Sequence, residues 1–424
     1  MIEVTKTKVT VIGQGYVGLP LSMRACEVGY QVVGFDVDAG RVAALNQGRS
    51  HVGDVSDQML QDGLRLGYRA ASSEDALEGF DYAVISVPTP LKDGLPNLKF
   101  VESAAEAVGR FLTEGACVIL ESTTYPGTTE ELVAPILERE SGLRRDQYFL
   151  GYSPERVDPG NDKFNLRNTP KVVSGDREAS LRVVSAFFAT LIDEVVEVRS
   201  CAEAEMVKLL ENTFRHVNIA LINEVARFAH GLGIDVWRVV EAASSKPFGF
   251  MRFTPGPGVG GHCLPIDPSY LAWRVKQDLG HNFRFVELAN DINGHMPEYV
   301  IERITLLMNN HCRALNGLNV VLLGLSYKAS TGDWRESPSA RIADVLNERG
   351  AKVQICDPHV LPIFAGKYGV HLVEYSTEIL RSADLVVVLV DHPEFEPEVI
   401  SKHSKLVFDT KNLLEDTIFE GETL

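Results

Sequence analysis

The stretch Lys8-Val9-Thr10-Val11-Ile12-Gly13-Gln14-Gly15-Tyr16-Val17-Gly18 decides the fold. Residues 8–12 read as an apolar strand, 13–18 as a glycine-rich turn and 16–27 as a helix. A GxGxxG between strand and helix lets the chain turn tightly and brings its backbone close to a pyrophosphate, which the amides of the helix N-terminus then receive. Alone the hexapeptide is a weak signal. Asp36 strengthens it, because it ends a second strand-like run (31–36), 18 residues after Gly18. An acid there accepts the ribose 2′-hydroxyl of NAD and repels the 2′-phosphate of NADP. Gly13, Gly15, Gly18 and Asp36 are therefore candidate cofactor residues, with Tyr16 and Val17 in the same turn.

Further strand-like runs at 82–87 and 116–120 alternate with helix-length segments, which argues for a parallel sheet with helices on both faces. The pattern returns near the C-terminus. Residues 319–323 end in Gly324, and 353–356 end in Asp357, much as 31–34 lead to Asp36. Between the two regions, residues 201–231 hold no Gly or Pro until their end and read as one helix, about 45 Å long at 1.5 Å per residue. Met206, Leu209, Leu210, Phe214, Val217, Leu221 and Val225 occupy more than one face, the mark of a helix buried between partners. The expectation is an α/β protein of two Rossmann-like, doubly wound parallel-sheet domains joined by a long central helix. Its parts are an NAD-binding domain (1–200), a central helical dimerisation domain (201–300) and a C-terminal Rossmann-like domain (301–424).

Composition bounds the function. The 424 residues carry 41 Lys and Arg against 58 Asp and Glu, a formal charge of -17, so nucleic acid and anionic lipid are poor partners. Apolar runs such as 385–390 are far too short to span a bilayer. No targeting segment is visible, since Lys6 and Lys8 lead straight into the first strand. Cys26, Cys117, Cys201, Cys263, Cys312 and Cys356 are scattered without a CxxC pair, which reads as reduced thiols and a cytoplasmic location.

Two loops at strand C-terminal ends, Val87-Pro88-Thr89-Pro90 and Glu121-Ser122-Thr123-Thr124-Tyr125-Pro126-Gly127, lie where open α/β sheets bind ligands. The most informative loop is Pro255-Gly256-Pro257-Gly258-Val259-Gly260-Gly261-His262-Cys263-Leu264-Pro265-Ile266-Asp267-Pro268. Its Gly and Pro content excludes helix and central strand and brings backbone close to something before presenting a cysteine. Asp267 stands four residues after Cys263, and a thiol after glycines with an acid nearby is a candidate nucleophile. His262 has no second Cys or His at ligand spacing, so no metal site is expected. Lys208 and Asn212 share a face of the long helix at i, i+4.

Together these residues resemble the UDP-glucose/GDP-mannose dehydrogenase family over nearly the whole chain. The segments that carry the resemblance are VIGQGYVGLPLS, ESTTYPGTT, SPERVDPGN, the Lys208/Asn212 helix, PGPGVGGHCLPIDP, and Lys328 through GDWRESPS. The resemblance implies oxidation of the C6 hydroxymethyl of a nucleoside-diphosphate hexose to a uronic acid, of the kind used in polysaccharide biosynthesis, with two NAD⁺ and one water. It implies that Cys263 forms a thiohemiacetal and then a thioester, and that Lys208 and Asn212 stabilise the oxyanions. It implies too that a water held by Asp267 or Lys208 takes the hydroxyl proton and that Thr123 and Glu155 orient the hydrolytic water. It further implies that Arg41, Pro88, Thr89, Thr123 and Arg335 contact NAD. Glu155, Arg156, Lys208, Asn212, Arg252, Gly260, Lys328 and Lys411 would contact substrate, in a homodimer or larger homo-oligomer.

Two departures matter. Pro159 stands where members acting on UDP-glucose usually carry a second glutamate four residues after Glu155, so the segment looks more like the branch acting on N-acetylated hexoses. Lys411 stands where the family commonly has Arg and cannot make its planar two-pronged contact, which could accompany another base such as thymine. UDP-glucose, a UDP-N-acetylhexosamine and dTDP-glucose thus stay open as substrates. The alternative is a two-electron hydroxyacid or 6-phosphogluconate-type dehydrogenase, which leaves the GGHC loop and the C-terminal domain unexplained. A non-catalytic binding protein would need lost catalytic residues, yet Lys208, Asn212, Cys263 and Asp267 are all present.

Overall fold

The computed structural model describes residues 4–92, 94–158, 161, 163–261, 263–360 and 371–424, with the backbone alone for Cys263 and Pro265. Contacts divide the chain into two units, Met1–Glu211 with Ser269–His281, and Asn212–Pro268 with Asn282–Leu424.

The first unit holds an eight-stranded sheet. Its strands are β1 (Lys8–Ile12), β2 (Gln31–Phe35), β3 (Arg69–Ala71), β4 (Tyr82–Ile85), β7 (Cys117–Leu120), β8 (Phe149–Tyr152), β9 (Lys171–Gly175) and β10 (Val195–Glu197), with β5 (Leu91–Lys92) and β6 (Leu95–Pro96) forming a separate short hairpin. The order is β10-β9-β8-β7-β4-β1-β2-β3, and every neighbouring pair is parallel except β8 with β9. The chain winds outward from β1 in both directions, so β1 and β4 flank the topological switch point. Val9, Val11, Tyr82, Val84, Cys117 and Ile119 alternate onto one face and join one core.

The second unit carries β11 (Asn319–Leu323), β12 (Lys352–Cys356), β13 (Leu385–Val388), β14 (Val407–Asp409) and β15 (Gly421–Thr423), parallel throughout in the order β12-β11-β13-β14-β15. Val320, Leu322, Leu385 and Val387 point into one core, while Val321, Leu323, Val386 and Val388 point into another. Both faces of this sheet are therefore covered, which is why its strands are continuously apolar. The two Rossmann-like sheets and the long helix (Cys201–Gly231) match the expected fold class.

Three details depart from the sequence reading. The helix after the glycine turn begins at Gly18, with Tyr16 and Val17 still in the turn. Residues 263–268 are not loop: they open the helix Cys263–Leu279, with Pro268 inside it. The first turn of a helix has backbone N–H groups without intrahelical partners, so a proline at 265, third in the helix, sacrifices little, whereas Pro268, sixth, forfeits one i→i−4 bond. The long helix is not buried all round. Leu209, Ala220, Ile222 and Ala226 are buried, but Met206, Leu210, Phe214 and Leu221 are exposed. Apolar periodicity reports a face that avoids water and does not say what covers it.

Candidate functional site

The glycine turn is built by close approach. Gly13 has φ +91°, and a Cβ there would lie 2.4 Å from the Ser86 carbonyl oxygen. A Cβ on Gly18 would lie 1.9 Å from the Gly13 carbonyl oxygen. Gly15 differs: nothing lies within 4 Å of its would-be Cβ. Two glycines fold the turn and the middle one opens onto space, beside the N-terminus of the helix Gly18–Val28. That is the arrangement a pyrophosphate requires, so the residues fit the dinucleotide expected from the sequence.

Asp36, buried at the end of β2, accepts the backbone N–H of Gln14 at 2.9 Å and of Asp38 at 3.0 Å, and pairs with Arg41 at 2.8 Å. Gln14, which sequence reading passed over, is wholly buried. Its amide donates to the Val11 carbonyl, and its carbonyl accepts from Tyr68 and Ser22. The signal for it was weak, since the position after the first glycine carries no required residue type.

The loops after β4 and β7 are tied together. Val87 N–H donates to Ser122 Oγ at 2.9 Å, and Ser122 Oγ donates to the Val87 carbonyl at 2.8 Å. Pro88 is exposed, while Thr89 is buried and its carbonyl accepts the Tyr270 hydroxyl at 3.0 Å. Thr123 is half-buried in the loop after β7. Glu205, on the long helix one turn before Lys208, accepts Gly127 N–H at 2.5 Å, Thr129 N–H at 2.9 Å and the Thr129 hydroxyl at 2.7 Å. Burial pushes the Glu205 carboxyl up to about 7 against those hydrogen bonds.

Glu155 follows β8. Its Oε1 accepts the N–H groups of Arg156 at 2.7 Å and Val157 at 2.6 Å; its Oε2 accepts from Lys171 at 2.8 Å; its backbone carbonyl accepts Lys208 Nζ at 2.5 Å. Burial pushes this carboxyl up, but the Lys171 ammonium and the Val157 amide outweigh burial and hold it below its ordinary range. The Arg156 guanidinium grips Glu211 at 2.7 Å and the Pro170 carbonyl at 2.6 Å. Lys171 and Glu121 were missed as site residues. The only signal was a lysine opening an otherwise apolar strand.

In the second unit, Asn212 Nδ2 donates to Asp267 Oδ2 at 2.6 Å, and Asp267 is 1% exposed. Cys263 begins the helix that carries Asp267, one turn earlier; its side chain, and His262 and Pro159 entirely, lie outside the described residues. The glycines before it pack closely. A Cβ on Gly260 would lie 2.7 Å from the Glu336 carbonyl oxygen, and one on Gly261 would lie 3.0 Å from the Tyr327 ring. Gly261 N–H donates to the Arg335 carbonyl at 3.0 Å, and the Arg335 side chain pairs with Asp333 at 2.6 Å. Lys328 is half-buried, Lys411 lies 3.7 Å from Asp391, and exposed Arg252 lies 3.6 Å from Glu241. His359, His392 and Glu394 bring ligand-type atoms within 4.8 Å of one another. However, His392 already accepts the Ser330 N–H at 3.2 Å and faces Asp357 at 3.2 Å, so the group reads as a hydrogen-bonded cluster.

Comparison with known proteins matches residues 7–192 to the NAD binding domain of the UDP-glucose/GDP-mannose dehydrogenase family, 202–295 to its central domain and 321–416 to its UDP binding domain. The UDP-N-acetyl-D-glucosamine 6-dehydrogenase of Pseudomonas aeruginosa is 36% identical over 421 residues, covering 96% of this chain and 97% of that one. The solved UDP-D-ManNAc dehydrogenase of Pyrococcus horikoshii superposes with a TM-score of 0.89 at 32% identity, covering 98% and 99% of the two chains. A UDP-glucose dehydrogenase of Pyrobaculum islandicum superposes equally well, at 0.89 and 29% identity over 100% and 99%. Backbone likeness therefore does not separate the sugars.

Proposed function

The chain belongs to the UDP-glucose/GDP-mannose dehydrogenase family, and from that premise we propose that it oxidises C6 of a UDP-N-acetylhexosamine to the carboxylate. The balance is R–CH₂OH + 2 NAD⁺ + H₂O → R–COO⁻ + 2 NADH + 3 H⁺. The N-acetylated sugar is favoured by Pro159 in place of a second glutamate and by the relative from Pseudomonas aeruginosa. The functional division is 1–200 for the dinucleotide, 201–300 for dimerisation and 301–424 for the nucleotide sugar.

When bound, NAD⁺ supplies the hydride acceptor for both oxidations; Gly13, Gly15, Gly18, Tyr16, Val17, Asp36, Arg41, Pro88, Thr89, Thr123 and Arg335 are the residues assigned to hold it. The chain's own groups do the rest. A water held by Asp267 takes the hydroxyl proton, while Lys208 and Asn212 stabilise the alkoxide. Cys263 adds to the aldehyde, which keeps it from escaping and leaves a C–H bond for the second oxidation. Water oriented by Thr123 and Glu155 then hydrolyses the thioester. Lys328, Lys411, Arg156, Arg252 and Gly260 are assigned to the substrate.

The observation that carries this reading is the 2.6 Å bond from Asn212 to buried Asp267, one helical turn beyond Cys263. Asp267 is buried and half-buried Asn212 donates to it, so the bond fixes a carboxylate and an amide side by side on the turn that follows Cys263. The alternative two-electron dehydrogenase has no use for the matched UDP binding domain.

The exposed apolar stripe on the long helix supports a homodimer through that face. No helix among the described residues is long and apolar enough to cross a membrane, and we assign the enzyme to the cytoplasm. The test is a panel of UDP-N-acetylglucosamine, UDP-N-acetylmannosamine, UDP-N-acetylgalactosamine, UDP-glucose and dTDP-glucose, counting NADH per sugar. Two NADH from a UDP-N-acetylhexosamine is expected. One NADH with a released aldehyde or ketone would remove the four-electron reading, and preferred turnover of UDP-glucose or dTDP-glucose would remove the N-acetylated sugar.

A further inference from the structure

Behind Glu155 lies a buried charge cluster that the chemistry above leaves unused. Lys171 opens β9 and Glu121 follows β7, both almost wholly buried. The Lys171 ammonium donates to Glu155 Oε2 at 2.8 Å and to Glu121 Oε1, and lies 5.3 Å from the centroid of the Phe188 ring. Glu121 Oε2 is buried with no hydrogen-bond partner among the described residues. Two carboxylates thus share one ammonium. Replacing a buried charge cluster by apolar groups of the same size is often neutral or stabilising, so stability alone does not account for it.

The wiring suggests what does. The two carboxylates belong to different loops: Glu121 stands two residues before Thr123, after β7, and Glu155 follows β8. These loops carry the two residues assigned to the attacking water. One ammonium therefore fastens both loops, and the backbone amides of Arg156 and Val157 fix the other oxygen of Glu155. Glu121 also competes for the ammonium, so Lys171 does not wholly neutralise Glu155.

We propose that Lys171 and Glu121 are positioning residues for thioester hydrolysis: the shared ammonium holds Glu155 and the Thr123 loop at one separation, and Glu121 leaves Glu155 with part of its negative charge to orient water. The proposal rests on the four-electron reading. In this step water adds to the thioester carbonyl carbon, the C–S bond breaks, the sulfur of Cys263 leaves as thiol with one of the water's protons, and the other proton goes to solvent as the carboxylate forms. No electron is transferred.

The test uses the full chain with saturating NAD⁺ and the panel sugar that turns over fastest. Both oxidations precede hydrolysis, so Lys171→Met should show a rapid burst of two NADH per site. A steady rate lower on the order of 10²-fold should follow, as for a misplaced reacting group. Near-isosteric Glu121→Gln should show the same burst with a smaller loss, Lys171→Arg should regain most of the rate, and Lys171→Met with Glu155→Gln should behave like Glu155→Gln alone. A slower rate without a burst, additive losses in the double variant, or wild-type turnover in both single variants would overturn the proposal. Should Lys171→Met fail to fold, Glu121→Gln and Lys171→Arg decide the matter by the same burst. One NADH per sugar in the wild type removes the four-electron reading and this role with it; two in the wild type with no burst in the variants removes this role alone.

Discussion

Asp36 and Asp357 hold the same station in the two sheets. Each directly follows the strand that pairs with the first strand of its sheet, β2 or β12. Each Oδ2 accepts the backbone of the turn after that first strand: Gln14 N–H at 2.9 Å for Asp36, and Leu325 and Ser326 N–H at 2.7 and 2.8 Å for Asp357. Each Oδ1 accepts the amide two residues on, from Asp38 at 3.0 Å or His359 at 2.9 Å. The remaining partners differ, and Asp357 has one more, the Val360 N–H at 3.1 Å. Asp36 pairs with the part-exposed Arg41, whereas Asp357 faces buried His392. Burial pushes the Asp357 carboxyl up, yet His392 and the Ser326 amide hold it down at about 2. One carboxylate remains beside an opening at Gly15, and the other is closed over by a ring.

Asp36→Asn should therefore weaken NAD⁺ binding about 10- to 100-fold, the worth of a hydrogen bond to a charged group, and narrow the preference for NAD⁺ over NADP⁺. Asp357→Asn should leave NAD⁺ affinity unchanged and lower Tm. Titration calorimetry with both dinucleotides decides it; equal losses of NAD⁺ affinity in the two variants would sink the distinction.

The glycines of the first turn should separate in the same way. Gly15→Ala puts its Cβ into open space, so Tm should stay near wild type while NAD⁺ binding is lost. Gly18→Ala drives its Cβ onto the Gly13 carbonyl and should cost about 1–3 kcal/mol as overpacking. Thermal melts paired with NAD⁺ titrations distinguish the two, and a large loss of Tm in Gly15→Ala would contradict the reading.

Asn212→Ala and Lys208→Met should each lower kcat about 10²- to 10³-fold, the usual loss on removing one preorganised oxyanion partner, and Asp267→Asn, which alters the group holding the proton-taking water, about 10²- to 10⁴-fold. Cys263→Ala should stop after the first oxidation, so rapid mixing would show at most one NADH per site. Undiminished steady-state turnover in Cys263→Ala would rule out the thiol route.

Much of this was legible in the residues. Gly13, Gly15, Gly18 and Asp36 lie close in sequence and carry strict backbone requirements, so pattern alone placed the turn. Asp267 was legible through its spacing from Cys263. Lys171 and Glu121 were not, because their meaning lies in a contact across 50 residues of chain that no local pattern encodes. Arg156 illustrates a different limit: its residue type suits an anionic substrate, but the Glu211 that it grips in this structure is known only once the helix is in place. Pro265 misled because proline costs little in the first turn of a helix, and Pro268 because this helix continues through the loss of one backbone bond.

Glu205 gives a pH prediction with a definite sign. Its carboxyl is raised from 4.5 to about 7 by burial. The folded protein therefore binds a proton more readily than the unfolded chain between those values, and stability from this group grows as pH falls through that window, by about 1.4 kcal/mol per unit crossed. Above about 7 the contribution is gone. Glu205→Ala should melt below wild type throughout, since it frees the Gly127 and Thr129 donors, and the gap in Tm should widen from pH 8 to pH 6. A gap that narrows over that range would show that the group is not held protonated.

The long helix makes the last prediction. Leu210, Phe214, Leu221 and Phe228 are spaced by four, seven and seven residues and fall on one face, and all are exposed, Leu210 and Phe228 at 60%. Burying each such side chain is worth about 1.5–3 kcal/mol, and a stripe of them along one helix is continuous enough to pair with its own copy about a twofold axis. Wild type should sediment as a dimer or a multiple of it. Leu221→Glu, which places a charge at the middle of the stripe without touching the buried side of the helix, should shift the protein toward monomer while the circular dichroism stays that of the folded chain. A wild type that sediments as a monomer at micromolar concentration, or a Leu221→Glu variant of unchanged mass, would place the dimer contact elsewhere or remove it.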